Sequence, residues 1–276
     1  MKCLAIFSFA RSGTNYLSDL LHEFENVRSY REIFQPRGVH LYNSNTQSNE
    51  LKEALEKVGA SYKIRDCTVR SSELIEAVHA DPNPMMNTII NESLFSEKPY
   101  CAFKIFGGHL TEAKIQDSIL RRKDFLPIVF RRNPLDTFIS AYKVKFSKSA
   151  IAVDTTQIKP SLSFNQYMAW RKNRKNWIDL INRNAEKFIG MVSFDELMKL
   201  DSDVERLNTL ASIFKVYGAD LITSKRAQLA RRTEKQDQSS SPGEKVSNLP
   251  EFISECADHG IDPQEEPIPF RTPNLM

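Results

Sequence analysis

The chain has 276 residues, 41% of them apolar, a length and composition suited to one large domain with a core of ordinary size. Lys and Arg number 38 against 35 Asp and Glu, a net charge of +3. That excess is too weak to mark the surface for nucleic acid, so no nucleic-acid partner is expected and any cationic function is local. The four cysteines, Cys3, Cys67, Cys101 and Cys256, lack CxxC or Cys/His spacing, which argues against a zinc site and against a disulfide framework; a reducing, cytoplasmic setting fits best.

In chain order, "MKCLAIFSFA" resembles the start of a signal peptide, but its short apolar run leads into "RSGTN" instead of a cleavage site, so it reads as a buried first strand. "TNYLSDLLHEFEN" then spaces Tyr16, Leu17, Leu20, Leu21 and Phe24 along one helical stripe. Residues 39–98 form a polar insertion, with "NSNTQSN" and "ADPNPMMN" as loop signals around a helical "SNELKEALEKVGA"; it is the expected acceptor-binding region. "YCAFKIF" (100–106) and "FLPIVF" (125–130) are short apolar runs, each followed by a helical pattern, which predicts parallel strands of an α/β sheet. After the second, "RRNPLDTFISAY" starts a helix with Asn133 as N-cap and Pro134 at its first position. A strand at 188–194, a short "DELMKL" helix and a helix closed by Gly218 follow. The stretch 231–248 is charged, serine-rich and aperiodic, and reads as a mobile loop. No run approaches the ~18 apolar residues of a membrane span. The expected architecture is a single three-layer α/β/α domain over residues 1–276 with a central parallel sheet.

Two stretches carry chemistry. At the first strand-to-helix junction, the amides of Ser12, Gly13, Thr14, Asn15 and Tyr16 fall at a helix N-terminus, where unpaired N–H groups and the helix dipole favour an anion. Gly13 permits close approach of the backbone, Ser12 and Thr14 add hydroxyls, and Arg11 adds charge. An ordinary capped turn has the same local look. At the second, a strand delivers Arg132 to the sheet edge and Ser140 follows two helical turns on. Arg offers a planar fork for phosphate oxygens, although a capped helix with a surface arginine also reads this way.

Together, "RSGT" (11–14) and "RNPLDTFIS" (132–140) resemble the sulfotransferases that use 3′-phosphoadenosine 5′-phosphosulfate, with a P-loop-like nucleotide-binding topology and nearest to the bacterial, carbohydrate-type members. The resemblance touches roughly residues 1–35 and 100–250. It implies that the first motif holds the 5′-phosphosulfate, that Arg132 and Ser140 hold the 3′-phosphate, and that the donor is 3′-phosphoadenosine 5′-phosphosulfate with no metal. It also implies in-line transfer to a hydroxyl, or an amine, of a small-molecule or glycan acceptor whose proton is taken by a general base. Two residues compete for that role: Glu32, in "SYREIFQP", placed as in the glycan-directed members, and His109, in "KIFGGHL", near the base of the phenol and steroid branch. The spacing from Lys104 to His109 departs from that branch's pattern. Many cytosolic members carry Lys where Arg11 stands; Arg stabilises a departing phosphate oxygen but does not donate a proton. Lys104 offers a second cation near the transferring group, or else a strand-end lysine reaching water. Lys235 is the candidate closing cation of the mobile loop. In "WRKNRKNW" (170–177) the four cations read as a solvated face, with a cradle for an anionic acceptor as the alternative. The runner-up function is a P-loop nucleotide or small-molecule kinase, in which Asp195 would organise Mg²⁺; the missing P-loop lysine counts against it.

Overall fold

The computed structural model describes residues 1–41, 64–65, 68–95, 97–147, 154–224 and 241–271. Its centre is a five-stranded parallel sheet of β1 (Lys2–Ser8), β2 (Val27–Ser29), β6 (Tyr100–Phe106), β7 (Phe125–Arg131) and β8 (Gly190–Ser193), ordered β2-β6-β1-β7-β8. The central strands are apolar on both faces because helices cover both. Alternation sorts their side chains. Cys3, Ala5, Phe7, Cys101, Phe103 and Ile105 join one core cluster, while Leu4, Ile6, Ala102, Ile128 and Phe130 join the other.

Helix α1 (Thr14–His22) covers the second face with Leu17, Leu20 and Leu21, alongside Leu207, Leu210 and Phe214 of a helix spanning Asp203–Val216. The first face is covered by the helices Ser72–Ala80 and Asn83–Phe95, which form α2 and α3, and by Trp177, Leu180 and Ile181. A short segment, α4 (Glu112–Ile115), continues as a π-turn to Leu120. Helix α5 (Pro134–Ser147) follows β7, and α6 (Phe164–Arg183) packs with it in a third cluster built on Phe138, Tyr167 and Phe252. The remaining helices are α7 (Phe194–Met198), α8 (Asp203–Val216), α9 (Pro242–Lys245) and α10 (Leu249–Asp258). The expected three-layer α/β/α arrangement with a parallel sheet is therefore the observed one.

The differences are local. Strand β8 is only Gly190–Ser193, because Phe188 ends a 3₁₀ turn and Phe194 begins α7. "ADPNPMMN" is not a loop: α3 begins at Asn83, and Pro84 lies in its first turn, where a missing N–H costs nothing. The rest of the polar insertion contributes an antiparallel sheet of β3 (Val39–His40), β4 (Ile64–Arg65) and β5 (Thr68–Val69); the helical pattern expected within "SNELKEALEKVGA" lies outside the described residues. From Ser241 the expected loop is instead a turn with a capping box from Ser241 and Glu244, and Val246 is buried. The cysteine reading is corrected too. The β1–β6 register sets Cys3 opposite Cys101 with Cα atoms 4.7 Å apart, and the two form a disulfide inside the core. No helix among the described residues is long and apolar enough to cross a membrane.

Candidate functional site

Four parallel strands of the large sheet end along one edge, and the loops leaving β1, β6, β7 and β8 meet there, as expected for a ligand crevice in an open α/β sheet. After Ser8 the chain turns sharply. Arg11 and Gly13 both adopt left-handed backbone, φ 72° and 80°, a conformation uncommon outside glycine and often found at functional sites. Gly13 is the N-cap of α1, and its side chain could not be larger, since a Cβ there would run into the Phe194 ring. Helix geometry leaves the amides of Thr14, Asn15 and Tyr16 without intrahelical acceptors. Ser12 is fully buried, and its hydroxyl has no hydrogen-bond partner. A buried orphan donor beside a helix N-terminus is suited to an anion.

The second motif closes onto the first. Asn133 caps α5 as expected, its Oδ1 accepting from the Asp136 amide at 3.3 Å, and Pro134 opens the helix. Arg132 Nη1 donates to the Arg11 carbonyl at 3.3 Å, Nη2 lies 3.7 Å from Asp136, and the guanidinium sits over the Phe194 ring at 5.1 Å. Its Nε has no acceptor. Arg11 Nε donates to the Ser140 hydroxyl at 3.2 Å. The sequence places the two motifs as separate anion sites; in the fold the Arg11 side chain bridges them. Burial and the neighbouring Arg132 charge both lower the Arg11 pKa, against a smaller opposing pull from Glu32. Two guanidinium groups held together in this way gain from an anion between them.

Lys245 was invisible to sequence reasoning because it lies in the stretch read as a mobile loop. It is buried and donates to Asp136 at 2.8 Å, bringing another cation beside Arg132. Lys235, the cation expected for this part, lies outside the described residues. Tyr16 contributes to the loop through its amide alone, because its hydroxyl turns away to Asp203 and accepts from Arg206 at 3.1 Å. Asp195, which would organise Mg²⁺ in a kinase, accepts from the Asn133 amide at 2.6 Å and so holds the Arg-Asn-Pro turn.

Glu32 and His109 meet at the other side of the loop. Lys104 is fully buried on β6, facing α1, where its ammonium donates to Asn15 Oδ1 at 2.6 Å and lies 3.2 Å from Glu32. Asn15 thus anchors a lysine as well as offering its amide. The Lys104 pKa is lowered by burial, with Glu32 acting in the opposite sense. Burial alone would raise the Glu32 pKa, but Lys104 and His109 together bring it below the ordinary carboxylate value. Ile33 and Phe34 beside it are buried, while the Glu32 side chain keeps 23% of its exposure. His40, whose amide donates to the Glu32 carbonyl at 3.1 Å, comes from β3 of the polar insertion.

The histidine geometry separates the two candidate bases. His109 Nδ1 accepts from the Phe106 amide at 3.3 Å, and Nε2 faces Glu32 at 4.0 Å. Burial drops its pKa to about 4, so the ring is neutral at pH 7. With Nδ1 engaged as an acceptor, the proton sits on Nε2. The ring therefore presents a donor toward Glu32 and no free lone pair. Glu32 presents carboxylate oxygens.

The cations of α6 divide. Arg174 is 2% exposed and paired with Glu266, so it does not belong to the expected solvated face, whereas Lys172 and Lys175 are exposed.

No family model and no curated protein matches the chain. Among solved structures, it is similar to mouse sulfotransferase SULT7A1 complexed with PAP, at 11% identity over 90% of this chain and 73% of that one, with a TM-score of 0.39. It is also similar to the sulfotransferase domain from the curacin biosynthetic pathway, at 14% identity over 98% of this chain and 93% of that one, with a TM-score of 0.42.

Proposed function

We propose that the protein is a sulfotransferase that moves a sulfuryl group from 3′-phosphoadenosine 5′-phosphosulfate to a hydroxyl of a carbohydrate acceptor. The observation that carries this reading is the convergence of Arg11, Arg132 and Ser140 beside the α1 N-terminus. The α1 amides and the orphan Ser12 hydroxyl would hold the 5′-phosphosulfate, and Arg132 with its unpartnered Nε would hold the 3′-phosphate with Ser140. In the transfer, the acceptor oxygen forms a bond to sulfur as the bond from sulfur to the 5′-phosphate oxygen breaks. That oxygen leaves with the electron pair, stabilised by the loop amides and Arg11. The acceptor proton passes to Glu32, with Lys104 and His109 Nε2 holding the carboxylate in place. The reading of the acceptor as a carbohydrate is supported by a carboxylate base at the mouth, in the position found in the glycan-directed members that the sequence resembles.

Titration calorimetry with 3′,5′-adenosine bisphosphate, AMP and ATP tests the donor assignment. The bisphosphate is expected to bind at least tenfold more tightly than AMP, since a charge-assisted contact is worth about 1.5–3 kcal/mol. Arg132→Ala should remove most of that preference. Equal affinity of the wild type for AMP and the bisphosphate would overturn the reading.

A further inference from the structure

Arg174 on α6 is a buried charge that the transfer chemistry leaves unused. Its Nε and Nη2 donate to the carboxylate of Glu266. Glu266 belongs to a C-terminal segment tied along the same helix: Arg171 donates to the carbonyls of Asp262 and Glu265 at 3.3 and 3.0 Å, the Tyr167 hydroxyl to Pro263 at 3.2 Å, and Asn182 to Pro269 at 2.8 Å. The other contacts of Arg174 lead into the nucleotide side. Nη2 also donates to the Arg132 carbonyl at 3.3 Å, and the guanidinium lies 3.6 Å from the centre of the Phe9 ring, with Trp170 at 5.1 Å. Phe9 opens the anion loop, its carbonyl accepting from the Ser12 amide at 3.3 Å. One guanidinium therefore touches Phe9, two residues before the first motif, and the main chain of the residue that begins the second.

Stability alone is a poor account of this pair. A buried ion pair is often no more stabilising than apolar side chains of the same volume. A planar cation stacked on an aromatic ring and bonded to a carbonyl does fix two separate pieces of chain in relation to each other.

We propose that Arg174 is a positioning residue of the donor site, clamping Phe9 against the Arg132 main chain so that the Arg132 fork and the 5′ loop keep the spacing of the two phosphates of one nucleotide, with Glu266 as its anchor. This rests on the nucleotide reading above. Arg174 contacts no reacting atom; it acts through Arg132 and the loop, and the C-terminal segment becomes part of the donor site.

The test is calorimetry of 3′,5′-adenosine bisphosphate and AMP on the wild type, on Arg174→Met/Glu266→Met and on Arg174→Lys, well below each melting temperature. The double variant removes both charges together and leaves neither partner unpaired. The lysine variant keeps the charge and loses the fork. Both are expected to lose about tenfold in bisphosphate affinity, the low end of what an outer-shell partner contributes to a binding site, with AMP affinity unchanged. If the double variant does not fold, the lysine variant carries the same expectation. A purely structural role would lower the melting temperature and leave the ratio of the two affinities at the wild-type value, and that result overturns the proposal alone. A wild type without any preference overturns the nucleotide reading and this one with it.

Discussion

At Glu32 the proposed proton acceptor and the lysine that favours its ionised form sit 3.2 Å apart, with Lys104 buried and the carboxylate partly open. Glu32→Gln keeps the shape and loses the proposed acceptor, and should lower kcat by roughly 10²–10⁴ with bisphosphate affinity near that of the wild type, because the nucleotide contacts proposed above lie on Arg11, Arg132 and the α1 amides. His109→Gln retains a donor that can face Glu32, so its loss in kcat should be much smaller. The two variants measured side by side decide between them; a dead His109→Gln with an active Glu32→Gln would move the base to the histidine. The sequence alone left this choice open because it hides the hydrogen bond from Phe106 that occupies Nδ1 of His109.

Among the elements, the β1–α1 turn is the most exacting. Gly13→Ala would place a Cβ against Phe194 on a left-handed backbone. The backbone part costs about 1 kcal/mol and the overpacking about 1–3 kcal/mol. Chemical denaturation should read a loss of about 2–4 kcal/mol, the two costs together, with bisphosphate binding weakened as Phe194 shifts under Arg132; unchanged stability and binding would refute the tight approach. This turn was legible because strand, glycine and helix stripe are adjacent in sequence, and β6 and β7 were legible as continuous apolar runs. What escaped reading joins distant stretches or is very short. Lys245 meets Asp136, Arg174 meets Glu266 and Lys104 meets Asn15 across separations of 109, 92 and 89 residues, and no local periodicity reports such contacts. Edge strand β2 has three residues, too few for an alternating pattern to register, and the prolines that begin α3 and α10 look like loop signals until the helix around them is seen.

For the molecule as a whole, the buried His109 ties stability to pH. Burial drops His109 from 6.5 to about 4, and it also lowers His40 and His79. Between about pH 4 and 6.5 the unfolded chain holds a proton on His109 that the folded chain does not. The His109 contribution to stability should therefore rise with pH through that window, be fully present above 6.5 and fall away toward 4, at up to about 1.4 kcal/mol per pH unit. Urea midpoints across this range, for the wild type and for His109→Gln, check it: the variant should show a shallower slope, and an identical slope would remove His109 from the cause. The sheet order has another consequence. Strand β1 lies at the centre of the sheet, yet its bonded neighbours come about a hundred residues later, Cys3 pairing with Cys101 at a separation of 98 and Ser8 reaching Phe130 at 122. During synthesis this apolar strand emerges well before either partner exists. Such long-range pairing folds slowly, and it leaves the strand that leads into the Arg11–Thr14 turn as the nascent chain's sticky segment until β6 and β7 arrive.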